Sequence, residues 1–137
     1  MYSNFKKQLI KYQPYEKIAA EKIALLNNVS LLSFCDNYKY DFETSDNLKY
    51  EVKTDEASNK TNNIFIEFYG YNKPSGITIT EANFYIINDT FNYYLISVDN
   101  LRELIINNKC RKIETKQTQT YGYLLSKNIL IKNSILI

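Results

Sequence analysis

The chain of 137 residues has no histidine. That absence excludes Ser-His-Asp and Cys-His catalysis, histidine-ligated zinc and a histidine general base. Three glycines, Gly70, Gly76 and Gly122, are too few and too scattered for a glycine-rich phosphate loop. Cys35 and Cys110 lie far apart with no CxxC spacing. This is the pattern of two reduced thiols in a cytosolic protein, not of a disulfide framework. No run approaches the ~20 apolar residues needed to span a bilayer, and the first residues lack an apolar signal core. The expectation is therefore a cytoplasmic protein without a membrane partner. An excess of one charge is also missing. Seventeen Lys and Arg against fifteen Asp and Glu leave a net +2, too balanced for a strongly basic nucleic-acid binder.

What is present suffices for one compact domain over residues 1–137, with 45% hydrophobic and 15% aromatic residues. Asn, Ile, Lys and Tyr dominate, and their codons are AT-rich, as in many phage and viral genes; a phage origin would place the protein in the host cytoplasm. The thirteen Tyr and seven Phe fall mostly on alternating positions, which favours core packing over base stacking. The chemistry left is that of carboxylates, lysines, hydroxyls and any metal the carboxylates hold.

The near-neutral total hides a pattern. Residues 1–35 carry net +3, residues 36–60 and 61–108 each −3, and residues 109–137 net +5. An acidic middle between basic ends fits a carboxylate site flanked by phosphate-contacting cations. Lys109, Arg111 and Lys112 lead the basic tail as candidate DNA contacts, although a solvated loop accounts for them equally well.

Pro14 suits the first turn of a helix over residues 14–27, with Ile18, Ala19, Ile23 and Leu26 at helical spacing. Residues 29–34 form an apolar, β-leaning run. Residues 39–43 and 49–54 alternate with period two around a polar turn and predict a hairpin, with Tyr40, Phe42, Tyr50 and Val52 in the core. Further strands are expected at 64–69, 84–88 and 93–98, a turn at 73–76 and a short helix at 78–82. Asp99 is the expected N-cap of a helix to residue 107. Residues 109–120 read as a loose polar stretch, and 121–126 and 129–137 as β-like. The order implies an α/β or α+β fold with one mixed sheet.

Strand alternation places Asp41 with Lys39 and Glu43 on one face, and Glu51 with Lys53 on one face of the next strand. If Glu43 faces Lys49, Asp41 opposes Glu51 at about 4.5–5.5 Å between Cβ atoms. Two carboxylates so close repel, and a divalent cation resolves the conflict. Mg²⁺ takes one or two carboxylates with waters and substrate phosphate. Lys53, beside it, is expected to orient or deprotonate the attacking water. A second Glu-x-Lys, Glu114 to Lys116, lies in the polar stretch without such a partner and serves as an internal control.

An acidic residue on one strand followed by Glu-x-Lys on the next, after a helix bearing Glu, resembles the PD-(D/E)xK nuclease superfamily. Glu51-Val52-Lys53-Thr54-Asp55, then Asn63 to Glu67, Pro74 to Ile77 and Thr80 to Ala82, are similar to its phage-type and Holliday junction resolvase-like members. The resemblance covers roughly residues 15–107. It implies a restriction-endonuclease-like mixed β-sheet flanked by α-helices, and Mg²⁺- or Mn²⁺-dependent cleavage of DNA by a homodimer. Carried over, Asp41 and Glu51 are metal ligands and Lys53 the water-positioning base. The helix carboxylate is Glu16, with Glu21 as the alternative. Glu67, Asp55 and Glu21 are expected to support the metal ligands or to contact substrate. Tyr40 stands where the family has proline. The expectation is thus a metal-dependent endonuclease acting on branched DNA or recombination intermediates. The alternatives are a catalytically silent DNA-binding module and an RNA-cleaving nuclease.

Overall fold

The computed structural model describes residues 2–35, 39–116 and 119–137, with side chains from residue 13 onward. In chain order the elements are α1 (Tyr2–Asn27), β1 (Leu31–Phe34), β2 (Phe42–Thr44), β3 (Lys49–Thr54), α2 (Ser58–Thr61), β4 (Asn63–Gly70) and β5 (Lys73–Pro74). A 3₁₀ turn (Gly76–Thr78) leads to β6 (Phe84–Asn88), β7 (Tyr93–Ser97) and α3 (Val98–Asn107). The chain ends with β8 (Arg111–Thr115), β9 (Thr120–Ser126), α4 (Lys127–Asn133) and β10 (Ile135–Leu136).

The fold is mixed α/β, but the expected single sheet is two. A six-stranded mixed sheet has the order β1-β2-β3-β6-β7-β10, with β3 and β6 parallel and its other pairs antiparallel. A four-stranded antiparallel sheet has the order β5-β4-β9-β8. Helices flank them, and among the described residues no helix is long and apolar enough to cross a membrane.

Period-two alternation divides the larger sheet between two cores. Phe42, Tyr50, Val52, Ile86 and Leu95 face α1, whose Ala19, Ala20 and Ile23 lie against them. Stacked rings run through this layer, Phe42 on Tyr50 at 4.9 Å and Tyr50 on Phe84 at 5.5 Å between centroids. The opposite face gives Tyr85, Ile87, Tyr94 and Ile96 to a second core, closed by Ile64, Ile66 and Leu125 of the smaller sheet and by Leu101, Ile105 and Leu130 of the helices. Glu51 and Lys53 lie at the rim of this second face. Gly76 (φ +54°) fixes the 3₁₀ turn against β4, since a Cβ there would come within 2.2 Å of the Glu67 carbonyl oxygen.

Several local expectations need correction. The first helix begins at Tyr2, so Pro14 is an interior residue that leaves one helical carbonyl without its usual N–H partner. Ser97 is the cap of α3, its hydroxyl accepting from Asn100 N at 3.1 Å, and Asp99 sits in the first turn, still well placed for the helix dipole. Residues 78–82 form no helix beyond the preceding 3₁₀ turn. Residues 127–133 are helical because Lys127 and Leu130, three apart, are both buried. The polar stretch contains β8, an edge strand so exposed that it shows no apolar alternation. Tyr40 packs against the second core and not beside Phe42, because the chain bends at Asp41 before β2 begins. The two cysteines are free thiols.

Candidate active site

The hairpin register is the expected one within β2 and β3. Glu43 pairs with Lys49 and Phe42 with Tyr50, but Asp41 N donates to Tyr50 O at 2.8 Å, one residue off that register, so the backbone is irregular at Asp41 and the expected direct pairing of Asp41 with Glu51 is not formed. Because β2 stops at Phe42, the N–H of Val52 has no strand partner on that side. The Asp41 carboxylate takes it, with Oδ2 2.6 Å from Val52 N. Asp41 is thereby anchored next to Glu51, and the like charges are held together by backbone rather than pushed apart.

Glu51 is 8% exposed. Its Oε1 lies 3.2 Å from Lys53 Nζ, a contact across two residues of the same strand face. Its Oε2 is buried without a hydrogen-bond partner. Burial raises the Glu51 pKa, and the charges of Asp41 and Glu16 raise it further, against the lowering effect of Lys53. Burial likewise raises Asp41, opposed by the Val52 N–H and Lys53. Glu16, half-buried on α1, is pushed up to about 7 by burial and by Asp41, with Lys53 opposing. Three carboxylates therefore share one region whose negative charge exceeds what its one lysine offsets.

Lys53 answers to all of them. Partial burial disfavours its charge, but Glu51, Asp41 and Glu67 outweigh it and hold its pKa above the usual lysine range. Without a metal, Lys53 is thus held as a cationic donor. Its nearly half-exposed side chain reaches a cavity of about 330 Å³ lined also by Asp55, Phe65, Glu67 and Tyr85.

Glu16, Asp41, Glu51 and Lys53 are brought together; the other candidates divide. Glu67 on β4 lines the cavity and acts electrostatically on Lys53. Asp55 is occupied by backbone. Its Oδ1 accepts from Ser58 N at 3.1 Å and Oδ2 from Phe65 N at 2.9 Å, so it ties the first residue of α2 to β4 while lining the cavity. Glu21 is exposed on α1, outside the cluster. Lys109, Arg111 and Lys112 do not form one patch. Lys109 lies in a turn, while Arg111 and Lys112 are successive strand residues opposite Leu124 and Tyr123 and so point to opposite faces. The control pair Glu114 and Lys116 lies at the exposed β8 end, away from any such cluster.

Tyr85 is the site residue that sequence reasoning missed. It pairs in parallel register with Glu51, is 1% exposed and lines the cavity. Burial pushes its phenol pKa up, so it stays a neutral hydroxyl. The alternation of β6 carried the signal, because Tyr85 and Ile86 must face opposite sides.

Among the described residues no three Asp, Glu or Cys side chains converge tightly enough to enclose a metal unaided. The donor set nonetheless fits a hard cation completed by water and phosphate. A buried carboxylate oxygen without a donor is costly, and a cation would relieve it. Comparison of the chain with models of known protein families, with curated proteins and with solved structures finds no match.

Proposed function

We propose that this protein is a Mg²⁺- or Mn²⁺-dependent nuclease that hydrolyses DNA phosphodiesters, with branched DNA such as a four-way junction as its preferred substrate. The observation that carries the reading is the buried, unpartnered Oε2 of Glu51 beside Asp41, Glu16 and Lys53. Glu51 and Asp41 would hold the cation, completed by water and substrate phosphate with Glu16 nearby; when bound it would neutralise phosphate charge and acidify water. Lys53, kept protonated by its neighbours, attracts the phosphate and orients the water by donation. Tyr85 donates beside it as a neutral phenol. Without a metal the half-buried Glu16 has its pKa raised to about 7, and a bound cation would compete with that proton. The family resemblance adds a homodimer as the working form, which light scattering checks.

The deciding experiment is cleavage of a four-way junction against matched linear duplex, with Mg²⁺ and with EDTA. Metal-dependent cutting is expected, lost by about a hundredfold or more in Asp41→Ala and Lys53→Ala proteins. Equal activity in those variants overturns the assignment. A second reading, a nuclease-like module that grips DNA without cutting, is favoured by the engagement of Glu51 Oε1 with Lys53. Salt-dependent binding with no cleavage would select it. Cutting of RNA in preference to DNA would select an RNA nuclease.

A further inference from the structure

On the smaller sheet the core-facing side extends beyond the core. Ile64, Ile66 and Leu125 are buried there, Phe68 and Tyr123 are only partly covered, and Tyr121 is 39% exposed. The three rings adjoin, Phe68 to Tyr123 at 4.5 Å and Phe68 to Tyr121 at 6.5 Å between centroids. Lys112 pairs with Tyr123 and so shares this side, with its Nζ 5.7 Å from the Phe68 centroid. Arg102 and Ile106 of α3 form the opposite wall of a groove of about 220 Å³ that has Tyr123 on its other side. Ile106 is 73% exposed. Tyr123 and Arg102 line the groove itself, and Phe68, Tyr121 and Lys112 extend it along the sheet face as a strip of rings with one cation.

We infer that this groove binds unpaired nucleotides of a DNA strand, with a base stacked on Tyr121 and the backbone passing Lys112. The choice of DNA as ligand rests on the nuclease reading; the stacking surface and the cations do not. Rings with flanking cations match the two parts of a single strand, π-faces and phosphates. A closed duplex hides its base faces, so the groove would select frayed, flapped or branched DNA. Glu114, opposite Tyr121 on the same side, repels phosphate and confines the backbone to the Lys112 side. The Arg102 guanidinium donates to Ile77 O at 2.8 Å, and its charge acts on Tyr85, which pairs with Glu51.

The chain has no tryptophan, so Tyr121→Trp creates a lone reporter at the groove. It is titrated in EDTA with single-stranded oligothymidine of about 12 nucleotides and with blunt duplex of the same length. Saturable quenching by the single strand, at least about fivefold tighter than for duplex, is expected. Tyr121→Ala should weaken single-strand binding about tenfold, and Lys112→Ala should lower the salt slope by about one. Tyr121→Leu, which keeps the side-chain bulk, guards against a folding defect and should match Tyr121→Ala. No quenching, or equal affinity for duplex, overturns the inference. Metal-dependent junction cleavage without quenching discards the groove and keeps the nuclease; quenching without cleavage does the reverse. Tighter binding of oligouridine than of oligothymidine overturns DNA as the ligand.

Discussion

Two buried charge clusters in this molecule are built on opposite plans. Where β6 turns into β7, Asp89 and Lys127 are 3% and 9% exposed, and their charges meet at 2.8 Å. Each polar atom has work. Asp89 Oδ1 accepts from Phe91 N at 2.9 Å and Asn92 N at 2.7 Å, Lys127 Nζ also donates to Asn59 Oδ1 at 2.9 Å, and Asn59 Nδ2 donates to Asp89 O at 2.7 Å. Burial alone would raise the Asp89 pKa, yet Lys127 and the backbone N–H groups outweigh it and hold it low. At the rim of the same sheet three carboxylates share one lysine, an oxygen of Glu51 has no donor, and the carboxylate pKa values rise. A balanced, saturated cluster locks α2, α4 and a turn together. An unbalanced one is less stable than it could be, and what it lacks is a positive charge.

The largest test separates the two by removing a cation from the balanced cluster. Lys127→Met should cost about 3–5 kcal/mol in urea unfolding, because it leaves Asp89 buried and unpaired. It touches none of the groups around Glu51, so metal affinity should stay unchanged wherever the variant is folded. A neutral result would mean that the Asp89 cluster is not a structural lock, and the contrast would fail.

The opposite sign is expected at the rim. Glu51→Gln removes a buried negative charge from a region with too many, and should raise stability by about 1–2 kcal/mol at pH 8 while abolishing cleavage. The gain has a definite pH window. The folded Glu51 pKa is raised above its unfolded value of 4.5 to about 7, so the folded state binds more protons between those values and stability falls as pH rises through them. Below about pH 5 wild-type Glu51 is already neutral, and the advantage of Gln should vanish. Asp89 behaves inversely. Its lowered pKa gives stability that is present above the unfolded value of 3.8 and is lost in stronger acid. Urea melts from about pH 2 to pH 8 read both trends.

The contrast was only partly legible in the sequence. The hairpin was readable because alternation is local: Tyr50 and Val52 must face one side, Glu51 and Lys53 the other, and Glu43 opposite Lys49 fixes the register. β6, β7 and α3 were readable for the same reason. Tyr85 was not, since it meets Glu51 through a parallel pairing between strands distant in sequence. β8 escaped because both its faces are largely solvated, and Ile129, Leu130 and Ile131 misread as β because a short apolar run does not show its period. Asp89 looked like any other acid, and Asp55 was read from the family resemblance as a supporting or substrate-contacting residue. Only their backbone donors mark them as structural, and no residue pattern announces those.

A smaller effect follows from supplying the missing charge directly. Mn²⁺ or Mg²⁺ at about ten times its dissociation constant should stabilise the protein by about 1.4 kcal/mol, a rise of a few degrees in melting temperature at pH 8. Protons and metal compete for the same carboxylates, so the shift should shrink at pH 5.5. Glu51→Gln should lose it, and changes at Asn59 or Lys127 should not affect it.

The smallest effect makes the finest distinction, between two glutamates on one helix. By sequence Glu16 was the preferred helix carboxylate and Glu21 the alternative, and Glu16 lies in the field of Asp41 and Lys53. Glu21→Gln changes an exposed charge and should alter stability by less than about 0.5 kcal/mol, with no change in the metal-induced shift. Glu16→Gln should raise metal-free stability at pH 8 by relieving repulsion with Asp41, and should reduce the metal-induced shift. The sign is the decisive reading. A structural carboxylate, like Asp89, destabilises when neutralised; one held in excess for a missing cation stabilises. If Glu16→Gln and Glu21→Gln melt alike with and without metal, Glu16 does not belong to the cluster, and the unbalanced site reduces to Asp41, Glu51 and Lys53.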